Sequence, residues 1–400
     1  MNKTIKDISL EIGSGITPLR SNELYWNSPD IPWIKTEQLG QYRIFDSTEY
    51  ISNLALEDTN IRLWSPHTVS VAMYGEGKTR GNASILMIET TTNQACCNIK
   101  VNDALADYRF LYYWLKNNYE NLRTLSAGVR NNLNADDIKS FSFPENSLPE
   151  QEKIADILSV VDDKIELNSK ICSELETMAK TLYGYWFMQF DFPDENGKPY
   201  RTSGGEMEWN EQLKREIPKG WEVTNIGKIT ANFDSRRIPL SQNERNSMKG
   251  DIPYYGATGV MDYVDRFIFD GQYVLIAEDG SVMDSDGYPI VQMIWGKAWV
   301  NNHAHVLEGH NGYSNELLYF VLKDIPVIKI MTGSIQKKIN QDNLNNYKIP
   351  QIPHKIANRF TSILKPIFSK LRAVEIENSE LTKLRDWLLP MLMNGQARVE

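Results

Sequence analysis

Short landmarks occur twice in this chain, in the same order and at nearly constant spacing, and that repeat limits the fold more than any compositional figure. Leu148-Pro149-Glu150-Gln151-Glu152-Lys153-Ile154-Ala155 opens a long helical pattern, and Ile352-Pro353-His354-Lys355-Ile356-Ala357 opens a second. Upstream, Ile31-Pro32-Trp33 matches Ile252-Pro253-Tyr254, and residues 69–75 match 274–280. Asn93-Gln94-Ala95 matches Asn302-His303-Ala304, and residues 134–144 match 340–350. The offsets of 221, 205, 209 and 206 residues differ only by loop-sized amounts. A duplicated unit of this size calls for two equivalent globular bodies, each followed by an equivalent helix.

The helical stretches carry their own pattern. Apolar or small residues fall at Ile154, Leu158, Val161, Ile165, Cys172, Leu175, Ala179, Leu182 and Trp186, in steps of four and three, with Asn168 the polar member. That is a coiled-coil heptad, and Pro149 followed by Glu150 and Glu152 is a helix start. A second seam runs through Phe360, Ile363, Ile367, Leu371, Val374, Asn378, Leu381 and Leu388, where Pro366 should kink or interrupt the helix. A seam asparagine costs stability but fixes register, so Asn168 and Asn378 are expected to meet in an antiparallel pair. A helical hairpin serving only as core for the globular halves is the plainer reading, but the heptad is longer than a small core requires.

Composition bounds the rest. With 400 residues, 41% hydrophobic and 24% charged, the chain can build two or three domains with real cores. No apolar run approaches the ~20 residues of a membrane helix, and the polar start Met1-Asn2-Lys3 is not a signal peptide, so a cytoplasmic protein with no membrane partner is expected. Cys96, Cys97 and Cys172 lack metal-ligand spacing and read as buried free thiols. A net charge of −9 argues against a simple nucleic-acid binder. Basic clusters nevertheless stand out at Lys78-Thr79-Arg80, Arg130, Arg236-Arg237 and Lys337-Lys338. A solvated surface explains any one of them. Their recurrence favours more, since Arg130 and Lys337-Lys338 each lie between a glycine, Gly128 or Gly333, and the Asn134 or Asn340 landmark.

Between the helices, apolar runs at 69–73, 84–88, 273–277 and 289–294, punctuated by Gly, Asn and Asp, read as a curved mixed sheet. Residues 107–118 and 314–323 look helical, so each half is α+β. Tyr25-Trp26, Trp33, Tyr254-Tyr255 and Trp295 read as aromatics that complete a core.

Two patterns mimic catalysis. Residues 72–79 fit a relaxed phosphate-binding loop, with 274–279 resembling the acidic strand of an NTPase. A phosphate loop must feed a helix, whereas here Arg80-Gly81-Asn82 leads into a strand-like run. The repeat also sets both segments at one place in the two halves, and a single element cannot be the loop in one copy and the acidic strand in the other. His303 and His305 would share a strand face as metal ligands, but the repeat replaces them with Gln94 and Cys96 and no acidic third ligand is evident, so a polar or core role is expected. No Gly-x-Ser-x-Gly turn and no Asn-Pro-Pro-Tyr or Asp-Pro-Pro-Tyr methyltransferase loop occurs.

The order of motifs resembles a known family. Residues 148–187, then Phe190-Asp191-Phe192-Pro193, Gly197-Lys198-Pro199-Tyr200, Ser203-Gly204-Gly205 and Ile217-Pro218-Lys219-Gly220-Trp221, are similar to the central conserved region of type I restriction-modification specificity (S) subunits. The resemblance extends through Ile31-Pro32-Trp33-Ile34, residues 250–256 and the last helix, nearly the whole chain. It implies a non-catalytic, pseudo-twofold protein with two target-recognition domains, 1–147 and 217–351. Between and after them stand two long antiparallel coiled-coil helices, 148–190 and 352–400, with a connecting segment at 191–216. It also implies double-stranded DNA with a bipartite target as ligand. Two modification (methyltransferase) subunits carrying S-adenosylmethionine would methylate adenine, and restriction subunits would use ATP and Mg to cleave. A helix of about 33 residues is roughly 50 Å long and would set the spacer between half-sites.

Base-reading residues do not transfer by motif, so chemistry selects them: Arg for guanine, Gln or Asn for adenine, Lys for phosphate. In the first domain these are Lys35, Thr36, Lys78, Arg80, Gln94 and Arg130. In the second they are Arg236, Arg237, His303, Gln336, Lys337 and Lys338. The competing readings are a P-loop NTPase and a coiled-coil scaffold joining two protein-binding domains, which would show no salt-dependent DNA binding.

Overall fold

The computed structural model describes residues 3–75, 77–125, 132–333 and 337–397, which divide into two compact units. Met1–Ser169 with Ile376–Glu400 forms the first, and Lys170–Glu375 the second.

In the first unit a mixed five-stranded sheet runs in the order Ser9–Ser14, Cys96–Val101, Thr68–Ala72, Ala83–Leu86, Arg43–Ile44. Its last pair is parallel and the others antiparallel. A three-stranded sheet of Tyr50–Ile51, Ile31–Ile34 and Thr91–Thr92 accompanies it. The central strand Thr68–Ala72 is buried on both faces, as its β-branched run requires. Val69 and Val71 pack with Phe110 and Leu111 of helix Tyr108–Asn117, which starts where Asp107 accepts the amides of Arg109 and Phe110 at 2.7 and 3.1 Å. Ile154, Ala155, Leu158, Leu389, Leu392 and Met393 complete that core from two long helices, Leu148–Tyr183 and His354–Met393.

The second unit holds a mixed six-stranded sheet, ordered Thr230–Asn232, Ala304–Gly309, Phe269–Ala277, Val291–Val300, Lys249–Tyr255, Val260–Val264. Alternation decides what each face covers. Val274 and Ile276 pack against Leu317 and Leu318 of helix Asn315–Lys323 and against Phe360 and Leu364, whereas Tyr273 and Leu275 pack with Phe269, Ile294 and Val306.

Within the first unit the helix partners run antiparallel. Asp162 pairs with Arg385 at 2.8 Å, Lys164 with Glu377 at 3.3 Å, and the Asn168 side-chain Nδ2 donates to Oδ1 of Asn378 at 2.8 Å. Asn168 also donates to Glu377 at 2.9 Å and accepts from Lys164 at 3.1 Å, which satisfies a side chain only 1% exposed. The double replacement Asn168→Leu, Asn378→Leu is expected to stabilise by about 1–2 kcal/mol while loosening register. Cysteine pairs engineered one heptad out of register should then begin to cross-link, and their silence alongside an unchanged unfolding midpoint would refute a register role.

One expectation is corrected. The last helix is not interrupted at Pro366 but continues from His354 to Met393. The missing amide forfeits one helical hydrogen bond, and burial of Leu364, Ile367 and Phe368 on either side offsets that loss.

Candidate nucleic-acid interface

In the second unit Arg237, His303 and Lys338 gather where strand Phe269–Ala277 ends, with Lys337 next in the chain, whereas Arg236 turns to the start of that strand. Strand Phe269–Ala277 ends beside Glu278, whose amide donates to the His303 carbonyl at 2.8 Å and whose carbonyl accepts from Ile339 at 2.8 Å. The Glu278 carboxylate pairs with Arg237 at 2.7 Å and Lys338 at 3.0 Å. Burial would raise this carboxyl, yet the Arg237 and Lys338 contacts hold it below its ordinary range. Arg237 also donates to the Ala304 carbonyl at 2.8 Å and lies 3.5 Å from Asp234. His305, only 2% exposed, holds Asp234 at 2.5 Å through Nδ1 and the Ile339 carbonyl at 2.8 Å through Nε2. Exposed Arg236 donates to the Ile268 carbonyl at 2.6 Å and lies 4.7 Å from the Phe269 ring. Lys337 reaches the Met283 sulfur at 3.9 Å, and half-exposed His303 pairs with Asp279.

The first unit builds the same frame with fewer charges. The Asn93 amide donates to the Ile34 carbonyl at 2.9 Å, Met73 to Ala95 at 2.8 Å, and Leu133 to Met73 at 3.1 Å. These bonds bring the strand ends that carry Lys35 and Gln94 to one edge. Lys35 pairs with Glu37 at 2.5 Å and Glu49 at 2.6 Å, and the Glu37 and Glu49 hydrogen bonds raise its pKa. Thr36 is half-buried in the turn Thr36–Gln38, and the exposed Gln94 side chain accepts from Thr17. The loop after Ala72 exposes Lys78, with half-buried Arg80 beside it. It is tethered where the Lys78 carbonyl accepts from Tyr119 at 2.6 Å and the Arg80 carbonyl from Arg123 at 3.2 Å. It then enters strand Ala83–Leu86, unlike the helix a phosphate loop must feed. Arg130 and Gln336 lie outside the described residues.

Three sequence-based readings change. The frame equates Ile34 with Tyr255, Met73 with Glu278 and Leu133 with Ile339, since Asn301 donates to Tyr255 at 3.1 Å as Asn93 does to Ile34. The true counterpart of Asn93 is therefore Asn301, one residue before the Asn302 match, and both side chains accept the amide two residues on. His303 and His305 consequently align with Ala95 and Cys97, not with Gln94 and Cys96. The two histidines also differ in exposure and do not want for acidic neighbours, because Asp279 meets one and Asp234 and Glu278 the other. Finally, Lys35 and Arg237 are not isolated cations: each pairs with internal carboxylates, as Lys338 does with Glu278.

Asp234, Glu278 and His305 place ligand-type atoms within 4.8 Å of one another. Arg237 and Lys338 already neutralise those carboxylates, so this donor set suits internal ion pairing better than a metal. The sequence did not single out Arg20, whose guanidinium lies 3.7 Å from the Trp26 ring and pairs with Glu49 at 2.6 Å, next to Lys35. No motif marks it; only the fold joins it to Glu49. On the helices of the first unit, Val160 and Leu167, seven residues apart, and Ile376 and Trp387, eleven apart, present exposed apolar side chains.

Comparison with known proteins gives one consistent result. The family model for the type I restriction modification DNA specificity domain matches residues 1–177 and 218–383. A type I restriction enzyme specificity subunit of Methanocaldococcus jannaschii is 29% identical over 100% of this chain and 93% of its own length. A putative type I restriction enzyme specificity subunit of Haemophilus influenzae is 35% identical over 161 residues, 40% of this chain and 37% of the relative. The crystal structure of a type I restriction-modification system S subunit from M. genitalium shares the fold, with a TM-score of 0.58 at 20% identity over 98% of this chain and 95% of that one.

Proposed function

Because the chain belongs to the type I restriction modification DNA specificity family, we propose that each of its two globular halves reads one half of a bipartite duplex target and that the chain itself performs no chemistry. The observation that carries this reading is the shared hydrogen-bond frame, which brings polar and basic side chains to the same end of both sheets. Lys78 and Lys337 supply exposed or half-exposed cations there for phosphate and base edges, Lys338 keeps a half-exposed ammonium beside Glu278, and exposed Arg236 lies at the start of strand Phe269–Ala277. Local rather than total charge is what such a surface requires, so the net charge of −9 is no obstacle. The exposed apolar residues Val160, Leu167, Ile376 and Trp387 suit docking of modification subunits along the helices. Those subunits would bring S-adenosylmethionine and methylate adenine, and restriction subunits would bring ATP and Mg for cleavage.

In this reading the paired helices set the spacer. Removing one heptad from each helix shortens a rod by about 10 Å, close to three base pairs of duplex. Mapping methylated adenines in host genomes that carry either form should show a shorter spacer between unchanged half-sites. An active variant with the original spacer would sink the ruler, and a host methylome indifferent to loss of the chain would sink the specificity role.

A further inference from the structure

His305 sits among acceptors. Nδ1 faces the Asp234 carboxylate at 2.5 Å and the Glu278 carboxylate at 3.6 Å, while Nε2 faces the Ile339 carbonyl at 2.8 Å. A neutral imidazole has one N–H and one lone pair, so it cannot donate to both sides. The surroundings therefore select the doubly protonated ring. The other charged groups packed on this cluster are Arg237, which contacts both carboxylates, and Lys338, which contacts Glu278.

The imidazolium joins three separate segments. It links strand Ala304–Gly309 to the turn Asp234–Arg236 and to strand Lys338–Ile339, and Glu278 draws in the end of strand Phe269–Ala277. These are the segments that carry or flank Arg236, Arg237, His303, Lys337 and Lys338. The first unit has no counterpart among its described residues, since Cys97 and Met73 occupy the places of His305 and Glu278. Burial pushes the Cys97 thiol up to about 12, so it stays neutral throughout the range in which histidine titrates.

We propose that His305 is a positioning residue for DNA reading by the second unit alone: as a cation it fixes the reading edge, and its deprotonation frees that edge while the first unit keeps its selectivity. The proposal rests on the DNA-recognition function above. Burial would lower the His305 pKa, but the Asp234 hydrogen bond and charge raise it above the ordinary value. Its contribution is thus fully present below the unfolded histidine range and is lost as pH rises through the raised folded value.

The test uses the full chain assembled with its methyltransferase subunits and the duplex target found by methylome mapping. Binding is measured from about pH 6 to about pH 9 for the intact site and for duplexes altered at one base pair in either half. Selectivity in the second half-site should fall about tenfold towards alkaline pH, with the first half-site unchanged. His305→Gln should be weak and flat across the same range. Should that variant melt early, Lys338→Gln, at the half-exposed rim, gives an independent reading: removing a cation beside Glu278 should move the wild-type midpoint to higher pH. Equal pH dependence at both half-sites, or an unmoved midpoint in Lys338→Gln, overturns the proposal while leaving DNA recognition intact. Absence of sequence preference at every pH overturns the recognition function itself.

Discussion

Arg385→Ala is expected to destabilise the first unit by about 3–5 kcal/mol, because it strands a charge rather than removing a contact. Asp162, its partner at 2.8 Å, has a side chain only 2% exposed. Its other oxygen accepts from the buried Tyr113 hydroxyl at 2.8 Å, and one phenol cannot replace a guanidinium. At roughly 2–4 °C per kcal/mol for a body of this size, the melting temperature should fall by about 6–20 °C. Arg385→Met combined with Asp162→Leu removes both charges and should recover most of that loss. Chemical unfolding of the wild type and the two variants decides the matter, and equal midpoints for the single and double variants would show that the buried charge is not what matters.

Phe360→Ala should cost the second unit a similar amount, about 3–5 kcal/mol, by a different route. The ring is fully buried and meets Phe187 at 4.8 Å, Trp186 at 5.1 Å and Tyr183 at 6.3 Å between centroids. Truncation leaves a void among rigid aromatics that cannot collapse to fill it, so both transfer and cavity costs apply. Phe360→Leu keeps most of the volume and should cost less than half as much. Hydrogen exchange offers the readout by unit: protection should fall around Leu317 and Leu318, which share this core, and persist around Val69 and Val71. A loss below about 1 kcal/mol would mean that the aromatic cluster does not hold this unit together.

These two sites differ in how far the sequence announced them. Phe360 stood in the heptad seam, and periodicity finds such residues because burial repeats along one helix. The strand-like run 69–73 and the helices that start at Asp107 and Ser314 were legible for the same local reason, whereas Asn134 and Asn340 were visible only as repeat landmarks and the structure shows them as helix caps. Arg385 was not legible, since its partner lies 223 residues away and no short pattern encodes that meeting. The candidate interface suffered likewise. Lys35 and Arg237 look like free cations until the fold delivers Glu49 and Glu278, 14 and 41 positions later in the chain. The one-residue error at Asn302 arose because Asn301 and Asn302 serve a sequence match equally well, and only the backbone bond to Tyr255 separates them.

The first unit closes on residues from two segments that flank the second unit, with Leu389, Leu392 and Met393 in the same core as Ile5 and Ile8. Ribosomal synthesis therefore makes its sheet first and these packing residues only after the whole second unit. At about 5–20 residues per second, roughly ten to forty seconds separate Ser169 from Ile376, and the whole second unit emerges in that interval. The half of the protein translated first is the half that finishes folding last. Until then the apolar face made by Phe110, Leu111 and Leu158 has no C-terminal helix to cover it, so cellular yield should depend on whatever shields that face during translation.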